Sequence, residues 1–241
     1  MKPALFVSDL HLSPARPAML EAFERFCAGP ARGASGLWVL GDLFDAWAGD
    51  DELADPLPAR TVAALAAVAA AGTAVAVMRG NRDLLLGERF AAAAGARLLP
   101  DAVVAPVAGT PTLLLHGDTL CTDDLAYQRY RARVHDPTLQ RRFLALPWII
   151  RRALVAGIRG TSRRATARKP TAIMDVNAGA VAAAFAEHGV TRMIHGHTHR
   201  PARHHLTVDG AAAERWVLPD WYDAAGYLAV DTGGATFERL D

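Results

Sequence analysis

The sequence contains only two cysteines, Cys27 and Cys121, among its 241 residues. They lie in neither a metal-binding nor a redox spacing, so we expect free thiols in a reducing compartment rather than a disulfide. A secretory leader is also not indicated. The residues before Asp9 include only five weakly apolar positions, too few for the hydrophobic region of a signal peptide.

Long apolar segments are scarce, with one apparent exception. Residues 61–78 form a stretch of 18 residues without a charge, which reaches the length that a transmembrane helix needs. This stretch is mostly alanine, and Gly72 and Thr73 divide it. We therefore predict a helix, a turn and a buried strand rather than a membrane span. With 51% hydrophobic and 21% charged residues, the chain should form one large globular domain or a domain with an insertion.

The net charge of +1 conceals a strong asymmetry along the chain. From Arg129 to Lys169, twelve basic residues accompany a single acid, Asp136, which gives this segment a charge of +11. The remainder has fourteen basic and twenty-four acidic residues and a charge of −10. An acidic body suited to binding cations therefore carries a basic insert suited to an anionic surface or substrate.

Five apolar runs each end in residue types that bind metals. If the runs are neighbouring strands, these polar residues meet at one rim of the structure. Asp42 directly follows its glycine and could lend one oxygen to each of two metals. Taken singly, each motif could also be a solvated loop. The five motifs are Asp9-Leu10-His11, Gly41-Asp42, Gly80-Asn81, His116-Gly117-Asp118 and Gly196-His197-Thr198-His199.

Residues beside these motifs suggest further roles. Arg82 follows Asn81 and offers a fork-shaped donor that matches phosphate oxygens, although a charged turn is the simpler interpretation. Asp45 could hold a ligand histidine from behind or lie in a surface loop. Apolar spacing predicts helices at 18–27, 90–97 and 173–188, and strands at 4–8, 37–40, 75–78, 103–104, 113–115, 206–208, 216–218 and 227–230.

The middle of the basic insert, residues 143–155, mixes aliphatic residues, Trp148 and arginines. This composition suits an amphipathic element that lies on an anionic bilayer. A basic helix pair packed on the body would have the same composition, and a basic patch with an aromatic residue also fits a nucleic-acid backbone.

In their order along residues 9–199, the five motifs resemble those of the calcineurin-like metallophosphoesterases. The resemblance implies an α/β fold in which two sandwiched β-sheets, flanked by helices, carry two metals. One metal would be held by Asp9, His11, Asp42 and His199, and the other by Asp42, Asn81, His116 and His197. Nitrogen and oxygen ligands without a thiolate favour two Mn²⁺ ions, or Mg²⁺, over structural zinc. Such a pair can activate a water and stabilise the attacking and leaving oxygens of a phosphoryl group.

A narrower resemblance rests on Gly-Asn-Arg-Asp, His-Gly-Asp-Thr-Leu-Cys-Thr-Asp-Asp and Ile-Met-Asp-Val-Asn. These segments are similar to those of the family branch that hydrolyses UDP-2,3-diacylglucosamine in lipid A biosynthesis. This resemblance implies a core at 1–122 and 171–241 and an inserted helical cap at 123–170 that binds acyl chains. Arg82 replaces the catalytic histidine of many relatives. The implied catalytic residues are Asp42, Asn81, Arg82 and His197, and the implied substrate contacts are Asn81, Arg82, Asp124, Ser162, Thr166, Lys169 and His197.

We therefore expect a Mn²⁺-dependent enzyme that releases UMP and 2,3-diacylglucosamine 1-phosphate through attack of water on the UMP-side phosphorus. It should be cytoplasmic and attached peripherally to the anionic inner membrane, with neither nucleic acid nor an obligate protein as partner. A nuclease has no use for the apolar cluster around Trp148. The alternatives are a metallophosphoesterase for another phosphodiester or nucleotide anhydride, and a catalytically silent protein that binds the membrane surface.

Overall fold

The computed structural model describes residues 2–166 and 171–240, except for the side chains of residues 163–166, 171 and 172. The strands are β1 (Ala4–Val7), β2 (Gly36–Leu40), β3 (Ala74–Met78), β4 (Ala96–Leu99), β5 (Ala102–Val107), β6 (Thr110–Leu115), β7 (Arg192–His195), β8 (Ala202–Val208), β9 (Ala211–Val217), β10 (Gly226–Asp231) and β11 (Gly234–Arg239). The α-helices are α1 (Pro17–Ala28), α2 (Pro56–Ala70), α3 (Glu88–Ala94), α4 (Leu125–Val134), α5 (Pro137–Leu144), α6 (Trp148–Thr166) and α7 (Ala178–His188).

The strands form two sheets. The first has the order β11-β10-β1-β2-β3-β4, and β1 to β4 are parallel. The second has the order β5-β6-β7-β9-β8, and β6, β7 and β9 are parallel. The register pairs Val7 with Val39 and Leu40 with Met78. The loops that follow these parallel strands therefore leave the sheet at the same rim, as the sequence predicts.

Alternation along the strands assigns each residue to one of two layers. In β1, Leu5 and Val7 face the helical layer of α1 to α3, whereas Phe6 faces the second sheet. Phe6 meets Leu114, Ile194 and Trp216 in the core between the sheets. The outer face of the second sheet is covered by α7 through Val181 and Phe185. Two sandwiched sheets flanked by helices are thus confirmed as the architecture.

The charge-free stretch at 61–78 forms elements of a globular fold. Helix α2 ends at Ala70, a turn passes through Gly72 with φ of 91°, and β3 follows as a buried strand. Within residues 2–166 and 171–240, no helix combines the length and apolarity needed to cross a bilayer. The prediction of a helix, a turn and a strand is therefore confirmed.

Two predicted helices have different bounds in the structure. The prediction of one helix over 90–97 is wrong, because α3 ends at Ala94 and β4 begins at Ala96, pairing with β3. Gly95 has φ of 62°, a left-handed conformation that ends a helix readily because glycine has no Cβ. The helix predicted at 173–188 begins only at Ala178, because Asn177 caps it by accepting a hydrogen bond from the Ala180 N–H.

The basic insert, together with the few residues that precede it, contains the helices α4, α5 and α6. The carboxylates of Asp124 and Asp136 cap the first two by accepting backbone N–H groups. Helix α6 lies along an acidic loop of the body. There Arg151 donates to the Ala48 carbonyl and pairs with Asp51, Arg152 pairs with Asp55, and Arg159 pairs with Asp45. Part of the positive charge of the insert is therefore compensated by the body itself.

Candidate metal centre

The seven residues proposed as metal ligands lie together at the rim where β1, β2, β3, β6 and β7 end. In one half of the cluster, Nε2 of His199 is 3.3 Å from Oδ1 of Asp9 and 3.4 Å from Nε2 of His11. One ligand atom from each of these residues fits within a sphere suited to a single ion. Asp9 and His11 are almost completely buried.

The other half of the cluster is built around Asn81. Its Oδ1 lies 3.0 Å from Nε2 of His116 and 3.1 Å from Nδ1 of His197. Asp42 lies between the two halves. Its Oδ1 is 3.8 Å from Nε2 of His116, and its Oδ2 is 3.8 Å from Nδ1 of His11. The two carboxylate oxygens thus face different halves, which is the arrangement a bridging ligand needs.

The chemistry of this donor set fits divalent cations. Nδ1 of His11 is buried and makes no hydrogen bond within the described residues. Burial alone would lower the pKa of His116, but the carboxylates of Asp42 and Asp9 outweigh it and raise this pKa to about 9. Burial also raises the pKa of Asp42. The rise at His116 reflects the negative charge of the neighbouring carboxylates, which a bound cation would also compensate.

The backbone at the rim is held in an unusual conformation. A positive φ in a residue other than glycine is uncommon and costs about 1–3 kcal/mol, so it persists only where its surroundings enforce it. Hydrogen bonds between the loops, from Asp9 N to Gly41 O and from His11 N to Asp42 O, help to enforce this backbone conformation. The residues concerned are Asp9 (54°), His11 (48°), Asp42 (53°), His197 (69°) and His199 (54°).

Close approach explains two of the motif glycines. A Cβ at Gly80 would lie 2.1 Å from Oδ1 of Asp42, and a Cβ at Gly196 would lie 2.2 Å from Oδ2 of Asp9. Neither distance is sterically possible, so glycine allows the loops to approach the two carboxylates. The conformations of the Gly-Asn and Gly-His motifs thus depend on the absence of a side chain.

Two residues near the motifs have roles that the sequence analysis did not assign. Asp83 is buried and accepts hydrogen bonds from the N–H groups of Gly80 (2.8 Å), Asp42 (3.3 Å) and Phe44 (3.2 Å), which joins two ligand loops. His195 points away from the cluster, where Nη1 of Arg215 lies 2.9 Å from its Nε2. Burial lowers the pKa of His195 to about 3, and Nε2 of this imidazole accepts a hydrogen bond from the Arg215 guanidinium.

Most of the proposed substrate contacts line one cleft beside the cluster. This cleft, of about 270 Å³, contains Asn81, Arg82, Asp124, Ser162 and His197. The N–H of Arg82 donates to Oδ1 of Asp42 at 2.8 Å, and its Nη1 is buried without a hydrogen-bond partner in the described part of the chain. The side chain of Thr166 and the whole of Lys169 lie outside the described residues.

An apolar cavity of about 200 Å³ adjoins this cleft at Asn81 and Arg82 and extends beneath the insert. Arg159 of α6 lies at its wall, and Nε and Nη1 of this guanidinium are buried without a hydrogen-bond partner in the described ranges. The sequence analysis did not single out Arg159, although helical spacing places it on the same face as Val155. The apolar part of the lining includes Trp47, Leu84, Leu85, Phe143, Val155 and Ile158.

Solved structures with a similar fold include a dimetal phosphatase from Danio rerio and the protein TT1561 of Thermus thermophilus. The first has a TM-score of 0.52 and 12% identity, covering 99% of this chain and 95% of the other. The second has a TM-score of 0.50 and 12% identity, covering 100% and 99%. At this identity they support the fold alone, and they agree with the two-sheet architecture.

Sequence relatives are much nearer. A protein of Aromatoleum aromaticum named UDP-2,3-diacylglucosamine hydrolase is 51% identical over 96% of this chain and 94% of its own length. A protein of Escherichia fergusonii with the same name is 48% identical over 94% of each chain. The family model described as calcineurin-like phosphoesterase matches residues 2–201, a range that contains every residue of the rim cluster. This chain therefore belongs to the calcineurin-like phosphoesterase family and is an enzyme of the metallophosphoesterase type.

Proposed function

We propose that the protein hydrolyses the pyrophosphate bond of UDP-2,3-diacylglucosamine and releases UMP and 2,3-diacylglucosamine 1-phosphate. The observation that carries this proposal is the continuity of three features at the rim. A cluster suited to two cations adjoins the Arg82 guanidinium, and both open towards an apolar cavity beneath a basic insert. The names of the two relatives indicate the same substrate.

The rim cluster would hold two Mn²⁺ ions, with Mg²⁺ as the second choice, because its ligands are carboxylate, amide and imidazole groups. Asp9, His11, Asp42 and His199 would bind one ion, and Asp42, Asn81, His116 and His197 the other. When bound, such ions activate a water and neutralise the charge that develops on phosphoryl oxygens. The loops with positive φ and the carboxylate of Asp83 keep these side chains in place before substrate arrives.

The chain itself supplies the donors for the anionic part of the substrate. Arg82 and Arg159 both have buried N–H groups that make no hydrogen bond within the described residues. Unpaired buried donors are costly, so a ligand that accepts hydrogen bonds would be favoured there. Asp124 and Ser162 line the same cleft and would bind the sugar, and we propose Thr166 and Lys169 as further contacts.

The cavity beneath the insert would receive acyl chains. Its walls are aliphatic and aromatic, and each methylene group that leaves water contributes about 0.8 kcal/mol. A nucleotide or a nucleic acid would gain nothing from this cavity, whereas a diacylated sugar would. The apolar lining thus favours the lipid substrate over other phosphodiesters and anhydrides.

Attack of water on either phosphorus of the pyrophosphate would give the same two products. We propose attack on the UMP-side phosphorus, which breaks its bond to the bridging oxygen and leaves that oxygen on the lipid product. We expect the oxygen of the attacking water to end in UMP. In ¹⁸O-labelled water, mass spectrometry should find the label in UMP, and label in the lipid product would reverse the assignment.

Turnover tests the proposed substrate directly. The purified protein with Mn²⁺ should convert UDP-2,3-diacylglucosamine to UMP, detected by mass spectrometry, and Asp42→Asn should not. UDP-N-acetylglucosamine, which lacks the acyl chains, serves as the matched substrate control and should be a poor substrate. Hydrolysis of another phosphodiester or nucleotide anhydride without turnover of the lipid would assign the enzyme to a different substrate class. Two bound Mn²⁺ ions with no hydrolysis at all would indicate a silent member of the family.

We also propose that the insert attaches the enzyme to the anionic inner membrane from the cytoplasmic side. Ile149 is 73% exposed, and Ile150 and Leu154 are about half exposed on the same helix. The transfer of such apolar residues from water into a bilayer interface favours binding. Each unpaired arginine near the anionic lipid strengthens the binding by about 1 kcal/mol. Because several arginines of α6 pair with the body, Arg141 and Arg142 of α5 are the better candidates for contact with lipid headgroups.

Vesicle sedimentation tests this attachment. Binding should require anionic lipid and weaken with salt, because salt screens the charges. The double variant Ile149→Ser/Ile150→Ser should lose binding, whereas Phe237→Ser, which replaces a partly exposed apolar residue on β11, should keep it. Equal binding by both variants would show that the insert is only a helical element packed on the body.

A further inference from the structure

A segment near the C-terminal end of the chain covers one side of the metal cluster. The ring of Tyr222 lies 5.1 Å from the His11 ring and 5.3 Å from the His199 ring, measured between centroids. The ring planes are tilted by 32° and 44°. Tyr222 is 43% exposed, and the contacts of its ring include these two imidazoles and the guanidinium of Arg16. A tyrosine thus braces both histidines of the same half-site.

Arg16 holds this tyrosine and the first ligand loop together. Its guanidinium carbon lies 4.8 Å from the centroid of the Tyr222 ring, within the range of a cation–π contact. The same guanidinium donates to the carbonyls of His11 (2.6 Å), Leu10 (3.1 Å) and Trp221 (3.0 Å). One side chain therefore fixes the backbone on both sides of the His11–Tyr222 contact.

Trp221 anchors the segment in the core. It is fully buried between Phe23 and Phe26, and its indole N–H donates to the Gly226 carbonyl at 2.8 Å. Its backbone N–H donates to the carbonyl of Asp9 at 3.1 Å. The position of Tyr222 is therefore determined by the same packing that places the Asp9 loop.

The two histidines need such support. Both have positive φ, and their Nε2 atoms converge to 3.4 Å. Residues that orient a metal ligand from outside commonly determine metal affinity by factors of about 10 to 100. An imidazole that is free to rotate would lose part of its affinity for the ion.

From this geometry we infer that Arg16 and Tyr222 form a clamp that positions His11 and His199, and so sets the metal affinity of one half of the centre. This inference rests on the proposed function only in taking the rim cluster as a two-metal site. Arg16 and Tyr222 are positioning residues, since they act on the ion through the two imidazoles. The half built by Asn81, His116 and His197 has no contact with the clamp among the described residues.

The test is a calorimetric titration of the metal-free full-length protein with Mn²⁺, without substrate. The wild type should bind two equivalents. Tyr222→Ala should weaken one binding step about tenfold or more and leave the other within about threefold. Tyr222→Phe keeps the ring and should restore both steps. Phe237→Ala, which removes a similarly exposed aromatic residue from β11, should bind as the wild type does.

A second variant covers the case in which Tyr222→Ala does not fold. Arg16→Lys keeps the charge but loses the planar fork that reaches three carbonyls. It should weaken the same step, and the double variant should be no worse than the more severe single variant, because both act through one contact. Circular dichroism of the metal-free proteins checks that each is folded.

The outcomes separate the two proposals. If folded Tyr222→Ala or folded Arg16→Lys binds both equivalents with wild-type affinity, or if Tyr222→Phe is as impaired as Tyr222→Ala, the clamp is refuted, whatever the substrate is. If the wild type binds two Mn²⁺ ions but leaves UDP-2,3-diacylglucosamine intact, the proposed function fails and the clamp stands. A wild type that binds no Mn²⁺ refutes both.

Discussion

Side chains at the rim are buried and held by neighbouring loops, whereas those of the first two insert helices are exposed or half-buried. Asp9, His11 and Asp42 are almost fully buried and joined to neighbouring loops by backbone hydrogen bonds. Helices α4 and α5, by contrast, contain no fully buried residue. Their main links to the body are polar, as where Tyr127 and Arg131 donate to Asp118.

This contrast matches two different tasks. Chemistry at a phosphoryl group needs donors that are already in place, since reorganisation during the reaction is costly. A lipid that arrives from a surface needs a binding element that can open, and few buried contacts make local opening less costly. A preorganised rim beside two helices, α4 and α5, that bury no side chain fully therefore suits a lipid phosphohydrolase.

Removal of the metal should have the largest effect on activity, and it should act only through the rim cluster. A chelator should abolish turnover, and Mn²⁺ should restore it. Because ligand binding stabilises the native state, a hundredfold excess over Kd contributes about 2.7 kcal/mol, and Tm should fall by roughly 5–10 °C on chelation. Differential scanning fluorimetry measures this shift. Full activity in excess chelator would contradict the metal assignment.

Two acids that lie close in sequence should differ sharply. Asp42→Asn weakens both halves of the centre and should lower kcat/KM at least about 100-fold, equivalent to about 2.7 kcal/mol. Asp45→Asn removes the partner of Arg159 on α6 and should cost much less, mainly by raising KM. Steady-state kinetics of the two variants tests this expectation. Equal losses of kcat/KM would contradict the distinction between rim and insert.

Arg82 lies where the two regions meet. Arg82→Lys keeps the charge but loses the bidentate fork, so we expect at least about a tenfold loss of rate, or about 1.4 kcal/mol. Arg79→Lys, a change at a nearby arginine that bonds to the Leu86 carbonyl, serves as the control for loop stability. Unchanged kinetics in Arg82→Lys would assign Arg82 to a structural role.

The smallest effect is expected within the apolar cavity. Val155→Ala removes two methyl groups from its wall and should raise KM for the diacylated substrate about fivefold, for a loss of about 1 kcal/mol. Hydrolysis of a small phosphodiester such as bis-p-nitrophenyl phosphate should stay unchanged, since it does not reach the cavity. A rate loss on both substrates would mean that α6 also supports the rim.

The rim could be predicted because its signal is local. An apolar run that ends in glycine and a ligand residue indicates a strand and the side chain that follows it, and five such runs in one chain imply a shared edge. β4 could not be predicted, for the opposite reason. Its sequence, ARLL, is short and follows an alanine-rich helix, and only Gly95 indicates the break. Its strand conformation depends on pairing with β3, a contact that periodicity does not encode.

The contacts of Arg159, of Asp83 and of the Arg16–Tyr222 clamp could not be predicted, although Asp83 lies within the Gly-Asn-Arg-Asp motif. Each acts on residues from distant parts of the chain: Arg159 pairs with Asp45, and Tyr222 lies against His11. An arginine or tyrosine in a polar stretch is compatible with any surface position until the backbone around it is known.

By itself the sequence determined the residue types of the metal cluster, the order along the chain in which strands present them, and the separation of an acidic body from a basic insert. Periodicity and chemical type suffice for these, because they are properties of neighbouring residues. The tertiary structure alone decided which oxygen of Asp42 faces each half, which arginines of the insert are compensated by the body, and which side chains brace the histidines. Those properties depend on distances of a few ångströms between residues far apart in sequence, and only the packing of the two sheets sets them.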